Sequence, residues 1–313
     1  MDKQSKIILI SGPTASGKSS FAIKIAKKID GEIINADSMQ VYKKLKILTA
    51  RPCKKDQKNI NHHLYGVIDV NKNFSAGEWL KLAVKAIKEI RKKKKTPILV
   101  GGTGLYFQSL INGLVKIPHI PTKFRNKVRL IQKKEGQKNF YKKLIKLDPS
   151  IRNKFDLNDT QRTIRAYEIK SYTKISMYDW IARTKSEFKE EEFLKLYIDF
   201  KREKLIERIS VRASKMINED CIKEVKEFIK LKIDKDHSIN KVIGIDELTQ
   251  YLKNKIDLNR VNELITIKTR QYAKRQVTWA RTRMISWKKI NPAKISNFIK
   301  RLNKSSLKLD QLT

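Results

Sequence analysis

Eight residues near the start of the chain, Gly12-Pro13-Thr14-Ala15-Ser16-Gly17-Lys18-Ser19, fit the pattern G-x-x-x-x-G-K-[ST]. Glycines at those two positions let backbone N–H groups wrap phosphate oxygens at the start of a helix, where the helix dipole also favours an anion. Lys18 is expected to pair with a phosphate and Ser19 to help hold Mg²⁺. The pattern specifies a polyphosphate and Mg²⁺ and is silent about which polyphosphate. Two further polar residues close apolar runs downstream: Asp37 in "NADSMQVY" and Thr103 in "GGTGLYF". In an open parallel sheet, ligands bind beyond the carboxyl ends of the strands, so Lys18, Asp37 and Thr103 are expected on one rim. Each of Asp37 and Thr103 taken alone reads equally as a helix N-cap. Gly101 and Gly102 are read as room for a ligand to approach the backbone.

A nucleotidase of this class also needs a buried aspartate after an apolar strand. Asp199 in "LKLYIDF" is the candidate, and Lys201 and Arg202 follow it closely. It makes an unconvincing second half of such a site. The paired His62 and His63 have no Cys or acidic cluster beside them, so they read as loop packing and not as a metal site.

A second kind of chemistry lies in arginines interleaved with aromatics. "DTQRTIRAYE" puts Arg162 and Arg165 three residues apart on one helical face, with Gln161 beside them. "TIKTRQYAKRQVTWARTRM", residues 266–284, carries Lys268, Arg270, Lys274, Arg275, Arg281 and Arg283 with no acidic residue, and Tyr272 and Trp279 two turns apart. Guanidinium forks bind phosphates, and aromatic rings stack on unpaired bases, the mode suited to single-stranded RNA loops; Trp279 taken alone reads equally as a core residue of an amphipathic helix.

The elements that must position these groups are legible from periodicity. A strand over 6–10 runs through the loop into a helix over 18–29; a second strand ends at Asp37; a helix over 75–93 leads to a third strand, "PILVGG", and a helix from Leu105. Alternation of this kind predicts an α/β fold with a parallel sheet. From about Pro118 the chain turns helical and charge-rich, "FLKLYIDF" supplies one more buried strand over 193–200, and the rest is helical. The expected organisation is a core of residues 1–118 and 192–313 with a helical insertion at 119–191. The lysine run 92–95 reads as a solvated turn.

Composition bounds the class. The chain has 313 residues, 40% hydrophobic and 33% charged, with 71 Lys plus Arg against 32 Asp plus Glu, a formal net charge of +39. A field of that sign draws polyanions. Apolar runs are too short to span a bilayer, the N-terminus does not read as a secretory signal, and Cys53 and Cys221 make no disulfide framework. A cytoplasmic protein with no membrane partner, acting as a monomer, is expected.

The blocks "GPTASGKS", "NADSMQVY", "TARP", "HHL", "GGTGLYF", "QRTIRAYE", "KREKLIERI", "IGIDEL" and "TRQYAKRQVTW" follow one another in the order seen in bacterial tRNA dimethylallyltransferases. The resemblance covers residues 7–284. It implies a P-loop NTPase-like core whose loop, Gly12 to Ser19, holds the diphosphate of dimethylallyl diphosphate, with Arg212 reaching the same group and no ATP consumed. The dimethylallyl group would pass to the N6 amine of the adenosine 3′ of the anticodon. Asp37 would take the amine proton, and Thr103 would bond the oxygen linking carbon to diphosphate. Matching by position puts tRNA contacts at Asp37, Ser38, Met39, Gln40, Thr103 and Arg125. It adds Gln161, Arg162, Thr163, Ile164, Arg165 and Gly244, and then Arg275, Gln276, Trp279 and Arg281; Lys241, Arg270 and Lys274 are expected as basic tRNA contacts beside these segments. The partner is the anticodon stem-loop. "ILTARP", "NEDCIKEV" and "KVIGI" depart from the usual family blocks without touching Lys18, Asp37 or Thr103.

Overall fold

The computed structural model describes residues 6–57, 59–115 and 117–302. Residues 1–5 and 303–313 of the expected core lie outside these. In chain order the elements are β1 Ile7–Ser11, α1 Lys18–Ile29, β2 Gly31–Asn35, α2 Lys54–Gln57, β3 His62–His63 and α3 Ala76–Lys92. There follow β4 Thr96–Gly101, α4 Gly104–Asn112, α5 Thr122–Leu147, α6 Thr160–Thr173 and α7 Met177–Ala182. The chain continues with β5 Phe193–Ile198, α8 Arg202–Met216, α9 Glu219–Lys230, α10 Ile245–Leu252, α11 Leu258–Arg283, β6 Lys288–Ile290 and α12 Ile295–Arg301.

The six strands form one parallel sheet in the order β3-β2-β4-β1-β5-β6. Both faces of β1, β4 and β5 are covered, which is why these strands read as apolar runs. Along β1, Ile7 and Leu9 face Trp79, Ala83, Ile87 and Ile90 of α3, while Ile8 and Ile10 face Phe21, Ala22, Ile25 and Ile29 of α1. These four apolar side chains of β1 are 0% exposed, and each contributes about 2 kcal/mol by leaving water.

Two compact units result, one made of Met1–Ile111 with Phe188–Thr313 and the other of Asn112–Glu187. The second unit is helical, with Leu144, Ile151, Phe155 and Ala166 at its centre. Its long helix α5 breaks at Gly136, where φ is 74° and ψ 162°.

Three readings need correction. The second strand stops at Asn35, so Asp37 stands two residues beyond it in a turn. His62 and His63 form a short edge strand paired to Ile33 and Ile34. A sixth strand, Lys288–Ile290, continues the sheet past β5 where only helix was expected. Edge strands are commonly short and lysine-bearing, which hides them from periodicity.

Candidate active site

The phosphate loop owes its shape to backbone geometry. Ala15 sits at φ 63° and Gly17 at φ 86°, and the Ser16 N–H donates to the Pro13 carbonyl at 3.2 Å. Gly17 caps α1 without a side-chain hydrogen bond, and the first turn of α1 holds no acidic residue. The helix therefore presents its free N–H groups and positive end to the loop. Ser16 Oγ is 2% exposed at the residue level and has no hydrogen-bond partner among the described residues. A Cβ on Gly12 would stand 2.9 Å from it. A buried hydroxyl without a partner beside uncapped N–H groups is a fitting receptor for phosphate oxygens.

Cations from α1 and α8 surround the loop. Lys18 Nζ donates to the Pro13 carbonyl at 3.3 Å. Desolvation lowers its ammonium to about 8; the nearby Asp37 carboxylate opposes that fall and Arg212 adds to it. From α8, Arg212 Nη1 donates to Thr14 Oγ1 at 3.1 Å and Arg208 Nε to the Ala15 carbonyl at 2.8 Å. Burial lowers the Arg212 pKa, again opposed by Asp37. Arg208 escaped the sequence reading, although its place one turn before Arg212 on a charged helix was the available signal.

The strand ends bring Asp37 and Thr103 together, and neither behaves as a plain helix cap. Asp37 Oδ1 accepts the Met39 N–H at 3.0 Å, and Asn35 Oδ1 accepts the Asp37 N–H at 2.9 Å. Thr103 Oγ1 accepts the Ser38 N–H at 3.0 Å and lies 3.3 Å from Ser38 Oγ, while the Thr103 N–H donates to the Ala36 carbonyl at 3.2 Å. Asn35 also steadies this rim, its carbonyl accepting Trp79 Nε1–H at 2.8 Å and its amide bonding the Asp37 and Leu64 carbonyls. Tyr65, Tyr106 and Tyr272 surround the aspartate, and their phenol pKa values are raised by burial and then by Asp37.

The glycines of this rim admit protein and not ligand. A Cβ on Gly101 would stand 2.0 Å from the Ala36 carbonyl oxygen, and one on Gly102 would stand 2.1 Å from Gln276 Nε2.

A cavity of about 330 Å³ opens on this centre, lined by Thr14, Asp37, Ser38, Met39, Arg212, Lys241, Tyr272 and Arg275 over an apolar floor that includes Leu48, Met216 and Ile265. A larger one of about 840 Å³ lies between α8 and α11, bordered by Arg270, Lys274, Arg281 and Asp199. Asp199 is thus exposed, not the buried carboxylate of a nucleotidase. Arg270, Lys274, Arg275 and Arg281 all have exposed side chains, and Arg275 lies over the Tyr272 ring at 5.9 Å.

Several expected RNA contacts are spent inside the protein. Gly244 is buried at φ 108° with its N–H on Glu247 Oε2, and a Cβ there would meet Leu48 at 2.6 Å. Gln40 Nε2 donates to the Thr49 carbonyl at 2.8 Å. Trp279 is half-buried over Gly104.

In the second unit, Thr163 is 0% exposed, its hydroxyl donating to the Asp159 carbonyl and accepting from Gln137. Gln161 and Arg162 are exposed on the same helix and Ile164 is half-buried. Arg162 lies over Phe155 at 5.9 Å, with Nη1 3.5 Å from Asp159. Arg125 and Arg165 both bond Glu168, a carboxylate only 1% exposed, at 3.3 and 3.1 Å. That buried acid was not recognised in the charge-rich "RAYE".

Among the described residues no group of three or more His, Cys, Asp or Glu gathers as a metal cage. Ser19 Oγ in the first turn of α1 is a hard oxygen donor of the kind that suits a Mg²⁺ shared with substrate oxygens and water. His62 and His63 are engaged with protein groups, the Ile60 carbonyl and Glu32 Oε2, each at 2.7 Å.

A parallel sheet with a strand–phosphate loop–helix unit and a polar rim at its carboxyl edge defines a P-loop α/β protein. The IPP transferase family model matches residues 40–283, and the chain belongs to that family. It is 74% identical over all 313 residues of both chains to a tRNA dimethylallyltransferase from Pelagibacter ubique. It is 42% identical over 278 residues to one from Rickettsia massiliae, covering 88% of this chain and 77% of that one. Among solved structures, a eukaryotic dimethylallyltransferase acting on tRNA superposes with a TM-score of 0.80 at 30% identity, covering 94% of this chain and 75% of that one. The tRNA isopentenylpyrophosphate transferase of Staphylococcus epidermidis superposes with a TM-score of 0.66 at 30% identity over 95% and 96%.

Proposed function

We propose that this chain transfers the dimethylallyl group of dimethylallyl diphosphate to the N6 amine of the adenosine 3′ of the anticodon of tRNA. The observation that carries the reading is the meeting, in one cavity, of Asp37 and Ser38 beyond β2 with Thr14 of the phosphate loop and Arg212 of α8.

The allylic C–O bond breaks with its electron pair leaving on diphosphate, while the adenine nitrogen forms the new C–N bond and gives up a proton. Lys18, Arg212 and the free N–H groups of α1 receive the charge that builds on the leaving group. An exocyclic amine is a weak nucleophile, and Asp37 takes its proton, a role generally worth about 10²–10⁴ in rate. Thr103 turns its hydroxyl proton from Ser38 Oγ to the bridging oxygen. Mg²⁺, held by Ser19, would neutralise part of the diphosphate charge.

RNA contacts are proposed for exposed Lys241, Arg270, Lys274, Arg275 and Arg281 in the first unit, and for Arg125, Gln161, Arg162 and Arg165 in the second. Flipping the target base costs a few kcal/mol, least in a loop that is already unpaired. A monomer working in the cytoplasm, where tRNA is matured, completes the reading. Among the described residues no helix is long and apolar enough to cross a membrane.

The test is incubation with labelled dimethylallyl diphosphate and unmodified tRNA, with ATP and AMP as alternative acceptors. Label in the tRNA alone is expected. Label in a free nucleotide, or ATP hydrolysis in place of transfer, would return the chain to the nucleotide kinases and NTPases that share this loop.

A further inference from the structure

Gln276 stands where the family blocks put an RNA contact, yet its amide is used within the protein. Its Oε1 accepts the Thr14 N–H at 2.8 Å and its Nε2 donates to the Gly102 carbonyl at 3.0 Å. An N–H only donates and a carbonyl only accepts, so the bridge needs one acceptor and one donor on a single planar group. An amide has both; a carboxylate lacks the donor. The Gly102 backbone is shaped to receive it, because a Cβ there would stand 2.1 Å from Nε2. One turn later on α11, Trp279 lies on Gly104, where a Cβ would stand 2.3 Å from its ring. Two neighbouring positions of α11 therefore fasten to the loop that carries Thr103, and one of them fastens to the phosphate loop as well.

We infer that Gln276 is a positioning residue, which sets the separation between the phosphate loop and Thr103 and ties both to the helix bearing Arg270, Lys274 and Arg281. The inference rests on the transfer reaction proposed above. Its action falls on the donor half of that reaction, because the groups it holds are those that grip diphosphate and the departing oxygen. The affinity for RNA is left to the exposed arginines of the same helix.

The experiment separates the two halves. Gln276→Leu removes both bonds at similar volume, and Gln276→Glu keeps the acceptor while losing the donor. Gly102→Ala leaves the glutamine in place but drives its amide from the carbonyl. For each variant, kcat, the KM for dimethylallyl diphosphate and the Kd for unmodified tRNA without donor are measured, with circular dichroism as the check on folding.

Gln276→Leu is expected to lower kcat at least tenfold and raise the donor KM several-fold, with the tRNA Kd within twofold of wild type. Gly102→Ala should show the same split, and the double variant should be no worse than either single change. A tRNA Kd weakened fivefold or more, with kcat and donor KM unchanged, makes Gln276 an RNA contact and overturns the inference. So does additivity of the two substitutions. A wild-type chain that labels no tRNA removes the reaction itself, whereas normal wild-type transfer with unaffected variants removes Gln276 alone. If Gln276→Leu does not fold, the same comparison is read from Gln276→Glu and Gly102→Ala.

Discussion

The Ser38 N–H donates to Thr103 Oγ1 at 3.0 Å, joining the turn after β2 to the turn after β4. The hydroxyl that is assigned to the departing oxygen thus also holds the residue next to the base. Thr103→Val should lower kcat roughly 10²-fold, the scale of losing one donor to a developing negative charge. Thr103→Ser keeps both bonds and should stay within a few-fold. Equal activity in the valine variant would remove the hydroxyl from the reaction.

Asp37→Asn keeps the acceptor for the Met39 N–H but cannot take a proton. Single-turnover transfer should fall about 10²–10⁴-fold, with tRNA affinity within a few-fold. Loss of tRNA binding in step with transfer would make Asp37 an anchor and not a base.

The second unit offers a test in salt. Glu168, 1% exposed, holds Arg125 and Arg165, so Glu168→Gln should loosen both guanidiniums and weaken tRNA binding with the donor KM unchanged. Arg162→Ala should reduce the slope of log Kd against log salt by about one phosphate contact. An unchanged slope would take Arg162 out of the interface.

Acid stability should report on Glu32. This carboxyl is 1% exposed; burial alone would raise its pKa, but the Asn61 and His63 hydrogen bonds and then Lys93 hold it at about 2, below the ordinary 4.5. A depressed acid contributes stability that is fully present above pH 4.5 and is lost as pH falls from there toward 2. Urea denaturation of wild type and Glu32→Gln should differ most near pH 6 and converge through that window. Lys93 and Lys95, both within 3.5 Å of this acid, do more than solvate a turn.

Gly101→Ala should be among the most damaging small changes, since its Cβ would meet the Ala36 carbonyl oxygen at 2.0 Å and backbone cannot swing aside. A loss of about 3 kcal/mol or more is expected from the overpacking, seen as a fall in the urea midpoint. A midpoint equal to wild type would show that the two strand ends can separate freely.

What the sequence disclosed, and what it withheld, divides along physical lines. The phosphate loop was legible because its glycines answer local geometry, and β1, β4 and β5 because both their faces are buried. Asp37 and Thr103 followed from a rule about strand ends that needs no side-chain detail. The short strands β3 and β6 escaped, since two histidines or two lysines and an isoleucine show no period. The burial of Glu168 and the inward hydrogen bonds of Gln276 were not legible, for a shared reason. Each lies in a stretch of charged and polar residues, and only long-range packing reveals that one is buried and the other bonded inward.

Strand order carries a consequence for synthesis. β1 is flanked by β4 and β5, and the second unit lies between those two strands in the chain. A ribosome that has released residues up to the end of β4 has exposed a β1 whose far side has no neighbour, apolar and ready to pair with another chain. Closing the long loop is cheap in entropy, about 0.6 kcal/mol for each doubling of length. The hazard is therefore one of time. The nascent chain must wait for the whole helical insertion to emerge before β5 can cover that edge, so translational pausing within the insertion should favour aggregation more than pausing after β5.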